Sequence, residues 1–349
     1  MVSIDRKLRP SFPLHNSEKP LLAISMGDPA GIGAEIIVKA YCIADLAAAA
    51  RPFVIGSADY LERAMQQTGL RIPVKKVAQP EEVTEEPARI FVLEPLSLDV
   101  AKIEPGKVSA KCGEAAVRYF ESAVNFCLSG RVAGIVTCPI NKEAVHMAGY
   151  HGDIGHQEIL ARMTGAGLTA TMLMTPGLKV AHLSTHKSLA DAVAYVRRDV
   201  LVDKLELTHA SLEYWGLASP CIAVAALNPH GGERGMLGNE EIEQIAPAVL
   251  ECQARGLDVV GPYPADSIFY RAIAGEFDAV LALYHDQGHI AIKVHNFEQS
   301  VTATMGIPFV RTSVDHGTAF DIAGKNRADA NGLIQALEVA ISMLNQRLV

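Results

Sequence analysis

Three histidines share one setting: each closes a short apolar run with the length of a buried strand. The runs are Val180-Ala181-His182-Leu183-Ser184-Thr185-His186, residues 222–227 followed by Asn228-Pro229-His230, and residues 279–284 followed by His285. In open α/β sheets, ligands bind beyond the carboxyl ends of the strands. Neutral imidazole is a common ligand of divalent metals, and three such ligands leave room for water or substrate on the ion. His186, His230 and His285 therefore read as candidate ligands of one catalytic metal, assembled from distant stretches of chain. Any one of them alone reads as an ordinary loop or core histidine. The repetition singles them out.

The elements that must position them alternate in type. Apolar runs of strand length lie at 21–26, 53–55, 90–93, 134–137, 170–174, 180–183, 221–227 and 280–283, with helical patterns at 113–128, 190–215, 239–255 and 328–348. This alternation predicts α/β architecture with substantially parallel sheets. A chain of 349 residues that is 49% hydrophobic can bury a large core in two domains. The acidic stretch 79–87, which contains proline, reads as a surface loop. A formal net charge of −8 argues against nucleic acid or an anionic membrane as partner. No apolar run reaches the length of a transmembrane helix. Residues 1–20 lack the apolar core of a signal peptide and read as a polar, frayed arm. The cysteines at 42, 112, 127, 138, 221 and 252 form no CxxC pair and read as reduced, buried thiols of a cytoplasmic protein.

Further groups with chemical potential lie at predicted strand ends. Gly27, Gly31 and Gly33 surround Asp28 without forming the dinucleotide fingerprint G-x-G-x-x-G. That turn reads equally as a packed strand–helix corner or as helix amides facing an anion. Lys142 follows Pro139-Ile140-Asn141, and His156 and Gln157 open a helical stretch. Tyr284-His285-Asp286-Gln287-Gly288-His289 is dense in ligating and proton-carrying groups. Arg311 emerges from the apolar run 306–310, where a cation needs an anionic partner: first an internal carboxylate, otherwise a phosphate or carboxylate of a substrate. His316-Gly317-Thr318-Ala319, continuing through Asp321 to Ala323-Gly324, resembles the adenine-side loop of isopropylmalate and isocitrate dehydrogenases, which bind NAD(P) without a Rossmann fingerprint.

From about Leu21 onward these motifs occur in the order found in the PdxA family, typified by 4-hydroxythreonine-4-phosphate dehydrogenase of pyridoxal phosphate synthesis. They are Gly27-Asp28-Pro29-Ala30-Gly31-Ile32-Gly33, Gly155-His156, Ser184-Thr185-His186, Asn228-Pro229-His230-Gly231-Gly232-Glu233, Tyr284-His285-Asp286-Gln287-Gly288, and the run from Arg311 to Ala319. The chain is thus identified as resembling that family. The resemblance implies a two-domain isopropylmalate/isocitrate dehydrogenase-like fold with non-Rossmann NAD or NADP binding. The expected division is a cofactor-side domain at 1–135 plus 300–349 and a metal, substrate and dimerisation domain at 136–299.

The same resemblance implies a divalent metal (zinc, or magnesium, manganese or cobalt) on His186, His230 and His285. One of these histidines would be supplied across the interface of a homodimer with shared active sites. It implies a phosphorylated substrate at His156, Lys293 and Arg311, and the cofactor along His316, Gly317, Thr318, Ala319, Asp321, Ala323 and Gly324. Lys142 or Asp286 would relay protons. The reaction is oxidation of a small 4-phosphorylated hydroxy acid, such as 4-hydroxy-L-threonine 4-phosphate, followed by loss of carbon dioxide. Two substrate-contacting positions depart from the biosynthetic pattern: Gln157 stands where threonine is usual, and Thr302 where asparagine is usual. Relatives act on D-threonate or D-erythronate 4-phosphate, or on an aromatic-derived cis-dihydrodiol, and His289 resembles those branches. Retention of Lys293 and Arg311 favours a phosphorylated acid. A hydrolase or lyase without nicotinamide, and a non-catalytic binding protein, are the readings of other classes. Absorbance in the nicotinamide band during turnover separates them from a dehydrogenase.

Overall fold

The structure is a computed structural model that describes residues 19–153 and 155–348. Nearly all of the expected N-terminal arm lies outside the described residues. Contacts divide the chain into two units, the first comprising the described residues up to Thr169 and Ile307–Leu344, the second Ala170–Gly306 and the residues from Asn345 on. The expected boundary at 135/136 falls inside the first unit. The reason is packing: the helices at Lys142–Met147 and His156–Thr164 lie against the long helix at Ala110–Leu128. At the other end, the chain beyond Asn345 stays with the second unit, where Leu348 N–H donates to Trp215 O at 3.3 Å.

The first unit opens with β1 (Leu21–Ser25), α1 (Gly33–Ile43), β2 (Arg51–Ile55), α2 (Ala58–Thr68), β3 (Val74–Val77) and β4 (Ile90–Leu93). It continues with α3 (Ala110–Leu128), β5 (Gly134–Thr137), α4 (Lys142–Met147) and α5 (His156–Thr164). The second unit holds β6 (Ala170–Thr175), β7 (Leu178–His182), α6 (Leu189–Ala194), α7 (Arg198–Tyr214), β8 (Ile222–Ala225) and α8 (Ala246–Ala254). It then adds β9 (Val259–Tyr263), α9 (Ala265–Ile273), β10 (Ala279–Ala282), α10 (His285–Asn296) and β11 (Val301–Met305). The chain returns to the first unit with β12 (Val310–Val314) and α11 (Asn331–Leu344).

In the first unit the strand order is β3-β4-β2-β1-β5-β12, every pair parallel. Strands covered on both faces read as unbroken apolar runs, and β4 and β5 are buried at every position. In the second unit the order is β11-β6-β7-β10-β8-β9. Here β7, β10, β8 and β9 are parallel, while β6 runs antiparallel to β7 and to β11. The mixed sheet follows from one local signal: Pro176-Gly177 joins β6 to β7, with Gly177 at φ 80, so the chain doubles back instead of crossing over. The core of this unit gathers Leu173, Val180, Ala223, Val280, Ile268 and Ile292 among others.

The helical stretch expected at 190–215 is two helices, α6 and α7, and that at 239–255 begins with a π-helical turn, Glu241–Ile245, before α8. The helix runs on from that turn into α8 without a break, and Pro247, which has no N–H to give, stands just after it. All six cysteines are free; Cys112, Cys127, Cys138 and Cys252 are buried as expected, but Cys42 is exposed because it falls at the solvent end of α1. No helix among the described residues is long and apolar enough to cross a membrane.

Candidate active site

The three strand-end histidines sit on neighbouring strands. In the order β7-β10-β8, His285 follows the central strand, with the His186 loop on one side and the His230 loop on the other. The loops are stitched together. Ser184 Oγ donates to Leu283 O at 3.1 Å, Gln287 Oε1 accepts from Leu283 N–H at 2.7 Å, and Gln287 Nε2 donates to Ala226 O at 2.8 Å. The His230 loop is left-handed at non-glycine positions, with φ 55 at His230, 46 at Glu233 and 59 at Arg234, a conformation that must be held from outside. Glu241 holds it: this buried carboxylate accepts from the amides of Leu227 and Asn228 and from Asn228 Nδ2, each at 2.8 Å.

His186 and His230 are exposed and His285 is half-exposed. His285 Nδ1 lies 2.7 Å from Asp286 Oδ1. An ionised carboxylate only accepts, so Nδ1 carries the proton and Nε2 keeps its lone pair, the arrangement of a metal-ligating histidine. The donor chemistry thus fits a divalent ion. Within one chain, however, no three histidine, cysteine or carboxylate side chains of the described residues form a metal-holding group. Position on adjacent strands is present in the single chain; convergence is not.

Two further imidazoles lie behind His285. His289 stacks on it at 3.6 Å between centroids and 11° between planes, and His182 lies 4.7 Å behind His289. His182, the last residue of β7, is buried with neither ring nitrogen hydrogen-bonded. Burial above all, then the neighbouring His289, His285 and Lys204, holds it down to about 3. Order along the chain gives no sign of this enclosure, because an apolar strand does not reveal which polar residue in it is buried.

The first unit holds the second cluster. Arg311 is an interior residue of β12, buried, and its Nη2 donates to Thr137 Oγ1 at 2.7 Å. Thr137 ends β5, pairs with Ser313 in the β5–β12 register, and accepts through its carbonyl from Ser313 Oγ at 3.3 Å. Burial brings the Arg311 guanidinium down to about 10. His156, first residue of α5, packs edge-on against Phe120 at 4.5 Å. Its Nε2 is shielded from water without a hydrogen-bond partner. Burial first, and the positive Arg311 second, hold its pKa well below the ordinary value. Gln157 follows on α5, and Lys142 begins α4 in an exposed position beside Gly155. Lys293, on α10 with Nζ 4.9 Å from the Phe297 ring, and Thr302, on β11, belong to the second unit. Thr137 was invisible as a functional candidate in sequence, since a threonine closing a buried strand carries no distinguishing signal.

The glycine turn resolves as a packed corner. The amides of Asp28, Ala30, Gly31 and Ile32 donate to Pro139 O, Asp28 Oδ1, Asp28 O and Thr318 O at 2.8–3.2 Å, so none of these four faces an anion. A Cβ on Gly31 would meet Thr318 Cβ at 3.1 Å; the turn is the floor of the loop 316–324. That loop is a series of turns with Ala319 at φ 46, closed by Ile322 and Ala323 amides donating to Ala319 O at 3.0 and 3.1 Å. His316, Gly317 and Asp321 are exposed, and nothing lies within 4 Å of a Cβ placed on Gly317.

The two buried imidazoles make stability pH-dependent with a definite sign. The unfolded chain protonates histidine below about 6.5, whereas the fold keeps His156 and His182 neutral well below that, down to about 3 for His182. The unfolded state therefore binds more protons in this window, and stability falls as pH falls. The slope is about 1.4 kcal/mol per pH unit for each histidine. Urea midpoints measured from pH 8 to 5 should decline below about pH 6.5, opposed below about pH 6 by Asp28, which burial raises to about 6, and His182→Phe should flatten that decline. An unchanged slope in His182→Phe would remove His182 from the account.

Imidazoles at the ends of adjacent parallel strands and a buried arginine on the next strand over from a buried threonine define an α/β protein with a histidine-rich strand-end site. The chain belongs to the PdxA family: residues 48–340 match the family described as pyridoxal phosphate biosynthetic protein PdxA. It is 44% identical over 329 residues to the D-threonate 4-phosphate dehydrogenase of Cupriavidus necator, covering 94% of this chain and 98% of that one. It is 39% identical over 336 residues to the 4-hydroxythreonine-4-phosphate dehydrogenase of Trichlorobacter lovleyi, covering 95% of this chain and 100% of that one. The crystal structure of a 4-hydroxythreonine-4-phosphate dehydrogenase from Klebsiella pneumoniae superposes with a TM-score of 0.88 at 39% identity, covering 94% and 99% of the two chains.

Proposed function

We propose that the chain is a metal-dependent, NAD(P)-linked dehydrogenase that oxidises, with decarboxylation, a small 4-phosphorylated hydroxy acid as a homodimer with shared active sites. The observation that carries this reading is the placement of His186, His285 and His230 after three adjacent parallel strands, β7, β10 and β8. His186, His230 and His285 would hold the metal, with a second copy of the chain completing the ligand set. The exposed apolar stripe of Ile290 and Val294 on α10 with Phe297 just after it, beyond His285, supports such a second copy. When bound, the ion supplies Lewis acidity that makes a substrate hydroxyl easier to deprotonate, and the nicotinamide accepts the hydride.

The chain's own residues do the rest. Arg311 binds the phosphate through its planar fork, oriented by Thr137, and His156 offers a neutral ring nitrogen beside it. Lys293, Gln157 and Thr302 complete substrate recognition. Asp286 keeps His285 in the tautomer with Nε2 open, and Asp286 or the exposed Lys142 moves the hydroxyl proton to solvent. The adenosine lies along His316, Gly317, Thr318, Ala319, Asp321, Ala323 and Gly324, in an isopropylmalate dehydrogenase-like, non-Rossmann mode.

Between substrates, D-threonate 4-phosphate is favoured over 4-hydroxy-L-threonine 4-phosphate. The relative named for it is the more similar of the two, at 44% against 39% identity, and Gln157 and Thr302 depart from the biosynthetic residues. The test is a panel of D-threonate, D-erythronate and 4-hydroxy-L-threonine 4-phosphates, each with NAD and NADP and with several divalent ions, followed in the nicotinamide band. Absence of nicotinamide reduction with all three acids would sink the reading. Gln157→Thr combined with Thr302→Asn should shift preference toward 4-hydroxy-L-threonine 4-phosphate, and unaltered relative rates would show that these positions do not set specificity.

A further inference from the structure

His285 is the first residue of α10, where a side chain has few neighbours to fix its rotamer, yet a ligating imidazole must aim one nitrogen accurately. His289, one turn later, lies face to face with it at 3.6 Å and 11°, and its Nδ1 is 3.0 Å from His285 O. A carbonyl only accepts, so the proton of His289 sits on Nδ1 and the ring is pinned to the backbone of the residue it covers. Behind it, His182 closes the column at 4.7 Å, and the column is closed from the helix side by Gly288. A Cβ there would lie 2.2 Å from His182 Nε2 and 2.8 Å from Val180 Cγ1, so only glycine lets α10 approach β7 this closely.

We propose that His289, backed by His182, is a positioning residue: it clamps the His285 ring so that Nε2 faces the site while Asp286 holds Nδ1. The inference rests on the metal reading above and adds a role for two histidines outside the ligand trio. A ring face in stacked contact favours a partner that gains positive character, as an imidazole would on binding a cation. The buried, unbonded ring of His182 is then explained as the rigid back wall of the column rather than as an orphan.

The test is titration of the purified full-length protein with Zn²⁺, and with Co²⁺, whose visible absorption reports ligand geometry. His289→Ala should weaken the affinity about 10- to 100-fold, the range for residues that orient metal ligands. His289→Phe, which keeps an aromatic face and loses the ring nitrogens, should recover most of it and restore the Co²⁺ spectrum. Thermal melting of the metal-free variants separates affinity from folding: the effect should persist where Tm is unchanged. His289→Ala binding as tightly as the wild type, or His289→Phe as weak as His289→Ala, overturns the clamp while leaving the metal reading standing. A wild-type chain that binds neither ion, like His285→Ala, overturns the metal reading and the clamp with it.

Discussion

His230→Ala should abolish turnover and strip the protein of most of its metal while leaving the fold intact. The side chain is exposed, so its removal creates no cavity. The loop that carries it is held through backbone amides and Asn228 by Glu241, and none of those bonds involves the imidazole. If the ion contributes several kcal/mol to the reaction, its loss lowers kcat/KM by about three or more powers of ten. Alanine at φ 55 carries some backbone strain, so His230→Gly serves as the control, since glycine accepts that conformation freely. Both variants should lose activity equally. Retention of metal and turnover by either would overturn the assignment of His230, and survival of metal content after replacement of His186, His230 and His285 together would overturn the centre as a whole.

Arg311→Lys should raise KM for the phosphorylated acid about 10- to 100-fold with little change in kcat, in cofactor affinity or in metal content. The guanidinium is buried and held by Thr137, 174 residues earlier in the chain, so it is oriented before any ligand arrives. A lysine at this position is a point charge on a flexible stem, and loses one of two charge-assisted hydrogen bonds to a phosphate, each worth about 1.5–3 kcal/mol. The expected contact is with the phosphate and not with the reacting carbon, so binding should weaken while kcat holds. A variant with unaltered KM for the substrate and raised KM for the nicotinamide would move Arg311 from the substrate to the cofactor.

Much of this molecule was legible in its amino-acid order, and the reasons are local. β1, β4, β5 and β8 are apolar runs buried on both faces, so their composition alone marks them. β3 and β11 escaped notice because Lys75 and Lys76, or Thr302 and Thr304, interrupt the apolar signal on strands with a solvent-facing or polar side. β12 escaped because Arg311, Thr312 and Ser313 are buried polar residues in a strand, a pattern that composition reads as a loop.

The strand-end histidines were found because a polar side chain placed soon after an apolar run is a one-dimensional feature. Their adjacency was not, because the order β7-β10-β8 is decided by crossover connections spanning about a hundred residues of chain. The partner of Arg311, the enclosure of His156 and His182, and the stack of His289 on His285 likewise exist only in three dimensions. Sequence by itself determined which side chains have the chemistry and which strands bring them to a rim. Tertiary structure alone decided which of them are desolvated, which nitrogen each can offer, and which neighbours hold them, because burial and ring contact are properties of packing and not of order along the chain.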